Sequence, residues 1–348
     1  MMFGKKTKGF CVDFGEQSVL IARMSQDATP LVVEELKEFA AADTEGLAAY
    51  LKTVEGKGPT GYAHAKCAIY PARRLVRRHT MDLKRIKEPA YVPEVFSQQF
   101  RIEADKYTTL LLNPADGSEY DSAKGNQKEV LFCGMVSDDI IEWQDKILEF
   151  GFYPERLELG TVATLGALVS HQKFKQSKTP LLLLEIGDES TQSFIVGPDG
   201  VEITRPIPSG ITAMIPVVQK ELGLKDEESA KKLFYSNTFD FTSMGSTLIR
   251  RLLKELQSSI GFYEVQTGQS IGGVLCTQLP SSLAWLSPTI AGALGVAPFK
   301  ADVAPWAESL GVTFAPGVSL AAPEERWIGL LGLMASYENA PAVPETKG

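Results

Sequence analysis

Apolar and polar positions alternate so as to divide the chain into short strands and amphipathic helices that follow one another from end to end. Apolar runs predict strands over 9–14, 18–24 and 31–39, a short helix over "TEGLAAYLKTV", and strands over 66–71 and "RLVRRHTMDL". "EPAYVPEVFSQQFRIEADKY" predicts a helix with Pro89 and Pro93 near its start, and "KEVLFCGMV" at 128–136 a strand. The helix over 138–150 is marked at both ends. Ser137 is an N-cap, Asp138 and Asp139 suit the positive end of the helix dipole, and Gly151 closes it. "FYPERLEL" returns as a strand into a helix at 161–170, and the polar run "HQKFKQSKTP" at 171–180 reads as a linker.

The second half repeats this plan. "LLLLEIG" and "TQSFIVG" flank a turn, and "PDG" at 198–200 turns the chain into "VEITRPIP". Helices are predicted near 209–222, 226–236 and 246–266, the last with apolar positions 249, 252, 253, 256, 260 and 263 on one face. "GGVLCTQ" reads as a strand, and "SSLAWLSPTIAGAL" and "PEERWIGLLGLMAS" as helices. The pattern is a duplicated α/β architecture with mixed sheets. Its clearest repeated element is a hairpin: "CVDFGEQSVLIARM" at 11–24 returns as "LEIGDESTQSFIVG" at 184–197.

Composition narrows the function classes. The 348 residues suffice for two domains or one large two-lobed unit, and a net charge of −8 argues against nucleic acid as the main partner. The basic run "ARRLVRRH" at 72–79 reads either as an anion-binding patch or as an edge strand with one solvated basic face, and the second is favoured. Cys11, Cys67, Cys133 and Cys276 each lie in an apolar run without metal spacing, as reduced core thiols would. His64, His79 and His171 are scattered, so no zinc site is expected. "MMFGKKTKGF" lacks an apolar core for a signal peptide, and no run of about 18 apolar residues predicts a membrane span. The proline-bearing tail 336–348 is expected to be disordered and the protein cytoplasmic.

The repeated hairpin carries the candidate chemistry. A tight turn after a strand can direct backbone N–H groups at a phosphate, and an acid at the strand end can hold Mg²⁺ through water. Either hairpin alone is a weak signal; their recurrence in two similar halves strengthens it.

With these hairpins, "FSQQFRIEADKY", "LFCGMVSDDIIEWQDKILEFGFYPERLELGTVATLGAL" and "LIRRLLKELQSSIGFYEVQTG", the chain resembles the actin-like ATPase superfamily and, within it, the PilM family of type IV pilus assembly proteins. The resemblance spans residues 8 to 335. It implies a bilobed actin-like fold, built on a duplicated ribonuclease-H-like plan. The first lobe would cover 1–175 with a small inserted subdomain at about 82–150. The second would cover 176–335, with a subdomain at about 211–268 bordering the nucleotide cleft. It further implies ATP and Mg²⁺ in that cleft, and attachment to the inner membrane through the cytoplasmic tail of a PilN-like protein, with self-association in a ring.

Carried over residue by residue, the resemblance assigns Asp13 and Glu185 to Mg²⁺ through water, and Glu185 or Glu103 to orienting a water. Nucleotide contacts fall on Asp13, Gly15, Gln17, Ser18, Gly187, Ser190, Thr191, Cys276 and Thr277, and a partner groove on Arg73, Arg74 and Arg77. The chain departs from the family in three places. Leu20 stands where a Lys is usual, Glu185 replaces an Asp, and Cys276-Thr277 replace a Gly-Gly. Glu16, Asp188 and Glu189 bring carboxylates to the turn tips. One such charge about 4 Å from a phosphate costs roughly 4 kcal/mol at an effective dielectric near 20. The expectation is a scaffold with a degenerate nucleotide cleft. The alternative is an ATP-binding switch that couples nucleotide state to pilus assembly. A carbohydrate-kinase-like enzyme of the same superfold is not favoured, because no substrate loop offers a phosphorylating Asp.

Overall fold

The computed structural model of the chain describes residues 9–25, 30–54, 61–121, 127–236 and 238–335. Its strands, in chain order, are β1 (Phe10–Phe14), β2 (Ser18–Met24), β3 (Leu31–Ala40), β4 (Ala63–Ile69), β5 (Leu75–Thr80), β6 (Tyr107–Leu112), β7 (Glu129–Val136), β8 (Phe152–Leu159), β9 (Leu181–Ile186), β10 (Thr191–Gly197), β11 (Gly200–Ile207), β12 (Gly273–Thr277), β13 (Ala297–Pro298) and β14 (Val312–Phe314). The chain packs as two compact units, one of Met1–Tyr70, Ile140–Ala167 and Ala301–Gly348, the other of Pro71–Asp139 and Leu168–Lys300. This partition follows packing and interleaves along the chain, whereas the duplicated plan cuts the sequence once, near 175.

The first unit is organised by a six-stranded sheet in the order β14-β3-β2-β1-β4-β8. β1 is apolar on both faces except at Asp13, and all five of its residues are buried, as a central strand requires. Phe14 packs on one face against Trp143, Phe150 and Phe152. Helix Ile328–Ala335 is buried from Ile328 through Met334, because its sequence has no polar side chain. Gly332 lets it approach helix Gly160–Lys175, since a Cβ there would strike the Ala163 carbonyl and the Ala167 methyl.

The second unit holds a five-stranded sheet, β11-β10-β9-β12-β13, and a three-stranded sheet, β5-β7-β6. Leu182, Leu184, Ile186 and Val274 from the larger sheet share one core with Val218 of helix Ile215–Leu222, Phe234 of helix Glu227–Tyr235, Leu256 of helix Arg250–Thr267 and Ile290 of helix Leu286–Leu294. The smaller sheet has its own core, in which Leu75, Val130 and Phe132 meet Tyr91, Val95 and Phe96.

Several elements differ from the sequence expectation. The long helix expected over 88–107 is confined to Tyr91–Phe100, four α-helical residues followed by a π turn, and ends at Arg101 in the left-handed conformation. Tyr107, the last residue of that expected helix, opens strand β6, which completes β7 on its open side. The linker expected at 171–180 is helical through Lys175, with His171 and Gln172 buried. The helix expected over 246–266 is interrupted at Ile249, between Gly245–Leu248 and Arg250–Thr267. The tail at 336–348 lies outside the described residues.

Candidate functional site

The first hairpin sets Asp13 at a register position of its own. Asp13 pairs with Leu20 across the antiparallel β1–β2 ladder and with Ala68 across the parallel β1–β4 ladder. Cross-strand partners share a face, so Leu20 stands beside the acid, and it is buried there as an apolar residue. Asp13 is itself buried, and its Oδ2 accepts a 3.4 Å hydrogen bond from the Tyr70 hydroxyl. Gly329 of helix Ile328–Ala335 lies over it: a Cβ there would come within 2.7 Å of Thr164 Oγ1 and 3.3 Å of Asp13 Oδ2. Gly15 and Gln17 lie in the turn and Ser18 opens β2, all three half-buried, and the Gln17 carbonyl accepts from the Ala41 amide at 3.0 Å.

The second hairpin belongs to the other unit. Leu184 and Ile186 enter the main core, so Glu185, between them, faces the opposite side of the sheet. Its neighbours in register are Gln192 on β10 and Thr277 on β12. Glu185 is buried, and its Oε2 accepts a 3.1 Å ion-paired hydrogen bond from Arg74 Nη2. The turn is tied to the segment that follows β11. The Gly187 carbonyl accepts from the Ile211 amide at 3.0 Å, and the Asp188 carbonyl accepts from the Thr212 amide and hydroxyl. Gly210 can have no side chain, because a Cβ would strike both of those carbonyls. Thr191 is buried and donates its hydroxyl to the Ser209 carbonyl at 2.8 Å. The Ser190 carbonyl accepts from the Gly187 amide. Asp188 Oδ1 accepts from the Tyr235 hydroxyl at 3.4 Å, and burial, then the Asp188 charge, pushes that phenol up to about 12.

The arginine run is the part of the candidate set that sequence reasoning misjudged. Arg77 and Arg78 lie on an edge strand, β5, with Arg73 and Arg74 just before it, and only part of the basic face is solvated. Arg74 is buried on Glu185, and Arg77 donates to Gln192 Oε1 at 3.2 Å and to the Val76 carbonyl. Arg78 donates to the Glu202 carbonyl at 2.5 Å. Burial, then the adjacent Arg74 charge, lowers Arg77 to about 10. Arg73 alone of the proposed groove residues keeps an open side chain, 64% exposed, paired with Asp139.

The remaining candidates are scattered. Glu103 is exposed and paired with Lys106 at 2.8 Å. Cys276 and Thr277 end β12 half-buried, and burial pushes the Cys276 thiol up to about 12. Left-handed backbone follows at Gln278, φ 63°, so the position that favours glycine lies one residue beyond the expected pair.

No protein-family model and no curated protein matches the chain. Among solved structures, the "PilM-PilN type IV pilus biogenesis complex" aligns over 94% of this chain and 98% of its own, with a TM-score of 0.64 and 17% identity. The chain has the fold of PilM, an actin-like fold. Weaker likenesses extend to the ethanolamine utilization protein EutJ from Carboxydothermus hydrogenoformans, with a TM-score of 0.41, 14% identity and coverage of 94% and 89% of the two chains. A Bacteroides thetaiotaomicron protein with an actin-like ATPase fold aligns at 0.40 and 8%, covering 84% and 90%. At such identities the PilM likeness is one of fold, and what individual residues do is read from their geometry.

Proposed function

We propose that this chain is a PilM-like scaffold of a type IV pilus or related assembly machine. It binds the cytoplasmic tail of a PilN-like inner-membrane protein and acts by binding rather than by nucleotide turnover. The observation that carries this reading is the full-length likeness in fold to PilM of a PilM–PilN complex. Among the described residues no helix is long and apolar enough to cross a membrane. This reading assigns attachment to the partner's tail. Self-association in a ring, and two lobes at 1–175 and 176–335, belong to the same proposal.

The hairpins support the non-enzymatic form of the proposal. Mg²⁺ held through water needs a carboxylate open to exchange, and Glu185 is engaged by Arg74. The Lys that the resemblance implies for a phosphate beside Asp13 is replaced by Leu20, which is buried. On this reading the residues present do not fit MgATP. The observation on the side of a nucleotide switch is Asp13, a buried carboxylate at the end of the first hairpin's leading strand.

The test is calorimetric titration of the full chain with a synthetic peptide of the partner's cytoplasmic tail. Micromolar or tighter binding is expected, weakened about tenfold, or 1.4 kcal/mol, by Arg73→Glu. Absence of binding at millimolar peptide would overturn the scaffold reading. Unchanged binding by the variant would remove Arg73 from the groove.

A further inference from the structure

The proposed function does not absorb the arginine run at 73–78, and its partners are ordered in a way that chance contacts would not be. Arg74 reaches Glu185 on β9, Arg77 reaches Gln192 on β10, and Arg78 reaches the Glu202 carbonyl on β11. The Arg78 amide also donates to Thr204 Oγ1, again on β11, at 2.9 Å. Three arginines on or just before one edge strand therefore take three successive strands of the five-stranded sheet. At the far end of the three-stranded sheet, the turn after β6 is fixed as well. The Pro114 carbonyl accepts from the Val201 amide at 2.9 Å, and the Ala115 carbonyl from Lys173 Nζ at 3.0 Å.

Glu185 gives this row its chemical sense. Its side chain is 0% exposed and that of Arg74 is 6% exposed. A carboxylate taken so far from water needs a cation close by. In a water-bridged metal site that cation arrives from solvent and leaves again. Here it is part of the chain, and it is a guanidinium, whose other terminal nitrogen, Nη1, donates to the Pro71 carbonyl at 3.1 Å.

We propose that Arg74 is a resident cation at Glu185, holding the position a divalent cation would otherwise take, and that with Arg77 and Arg78 it forms a comb that fixes the three-stranded sheet to the five-stranded sheet. The PilM-like reading supplies only the expectation that a metal could sit there. The comb stands on its own contacts, and partner binding is no readout of it, so either proposal can fail alone.

Mn²⁺ binding to the full chain, followed by water-proton relaxation and by thermal unfolding, tests it. Wild type and Glu185→Gln should titrate identically with Mn²⁺. Arg74→Ala should lower Tm by roughly 5–15 °C, the effect of stranding a buried charge. Millimolar Mn²⁺ should restore part of that loss, and should restore none in the Arg74→Ala, Glu185→Gln double variant. Arg74→Met with Glu185→Leu should fold near the wild-type Tm and ignore Mn²⁺. Exchange of the amide at position 78, which donates to Thr204 Oγ1, should quicken when Arg77→Ala and Arg78→Ala are combined. The proposal is overturned if the wild type binds Mn²⁺ and Glu185→Gln abolishes that binding, a comparison that decides even if Arg74→Ala does not fold. It is equally overturned if Arg74→Ala keeps the wild-type Tm.

Discussion

Gly329 is surrounded so closely that its missing side chain is a requirement. A methyl group there would press on Thr164 Oγ1 at 2.7 Å and on Asp13 Oδ2 at 3.3 Å. In an open helix Gly→Ala stabilises by about 0.5–1 kcal/mol. Gly329→Ala is expected to do the reverse, costing about 1–3 kcal/mol in urea unfolding, as overpacking does. Adding Thr164→Ala should recover part of that loss, because it removes the nearest obstructing atom. At this scale the sequence showed half of the candidate site. Asp13 and Glu185 were legible as acids near the ends of apolar strands, and Leu20 drew notice only because the resemblance to the PilM family implies a Lys there. The cation that satisfies Glu185 was not, since Arg74 lies 111 positions away and local spacing carries no information about such a pair.

Elements were legible where a continuous apolar run is buried on both faces, as in β1, β2 and β9. They were not where polar residues are buried or apolar ones exposed. Tyr107–Leu111 alternates between half-buried and exposed positions, with Leu110 59% exposed, before Leu112 is buried, so the strand resembles neither a core strand nor an amphipathic helix. His171 and Gln172 look like linker residues, yet Gln172 Nε2 donates to the Val196 carbonyl at 3.0 Å inside the second unit. A linker would tolerate Gln172→Ala. The helix should not: the variant strips a buried carbonyl of its donor, and unfolding measurements should register a loss of about 1–3 kcal/mol.

For the whole molecule, the four cysteines report on packing at four places. Cys11, Cys67 and Cys133 are buried and Cys276 is half-buried. Burial pushes the Cys133 and Cys276 thiols up to about 12 and raises Cys67 as well. A raised thiol pKa leaves little thiolate, about 10⁻⁴ of the total at pH 8 for a value near 12. Iodoacetamide at pH 8 is therefore expected to label the native protein far more slowly than a free thiol and to label all four sites rapidly in guanidinium. Fast labelling of the native state would mean that these strands open. The interleaving of the two units has a further consequence, for the order in which a ribosome can complete them. β14 adds in parallel to β3, with Val312 opposite Leu31, so the six-stranded sheet waits for a strand made 281 residues later. At the usual 5–20 residues per second, that wait is roughly 15–60 s. The second unit ends at Lys300 and is fully synthesised first. During synthesis the earliest strands thus spend that interval with an unpaired edge, while the middle of the chain can already close around its own core.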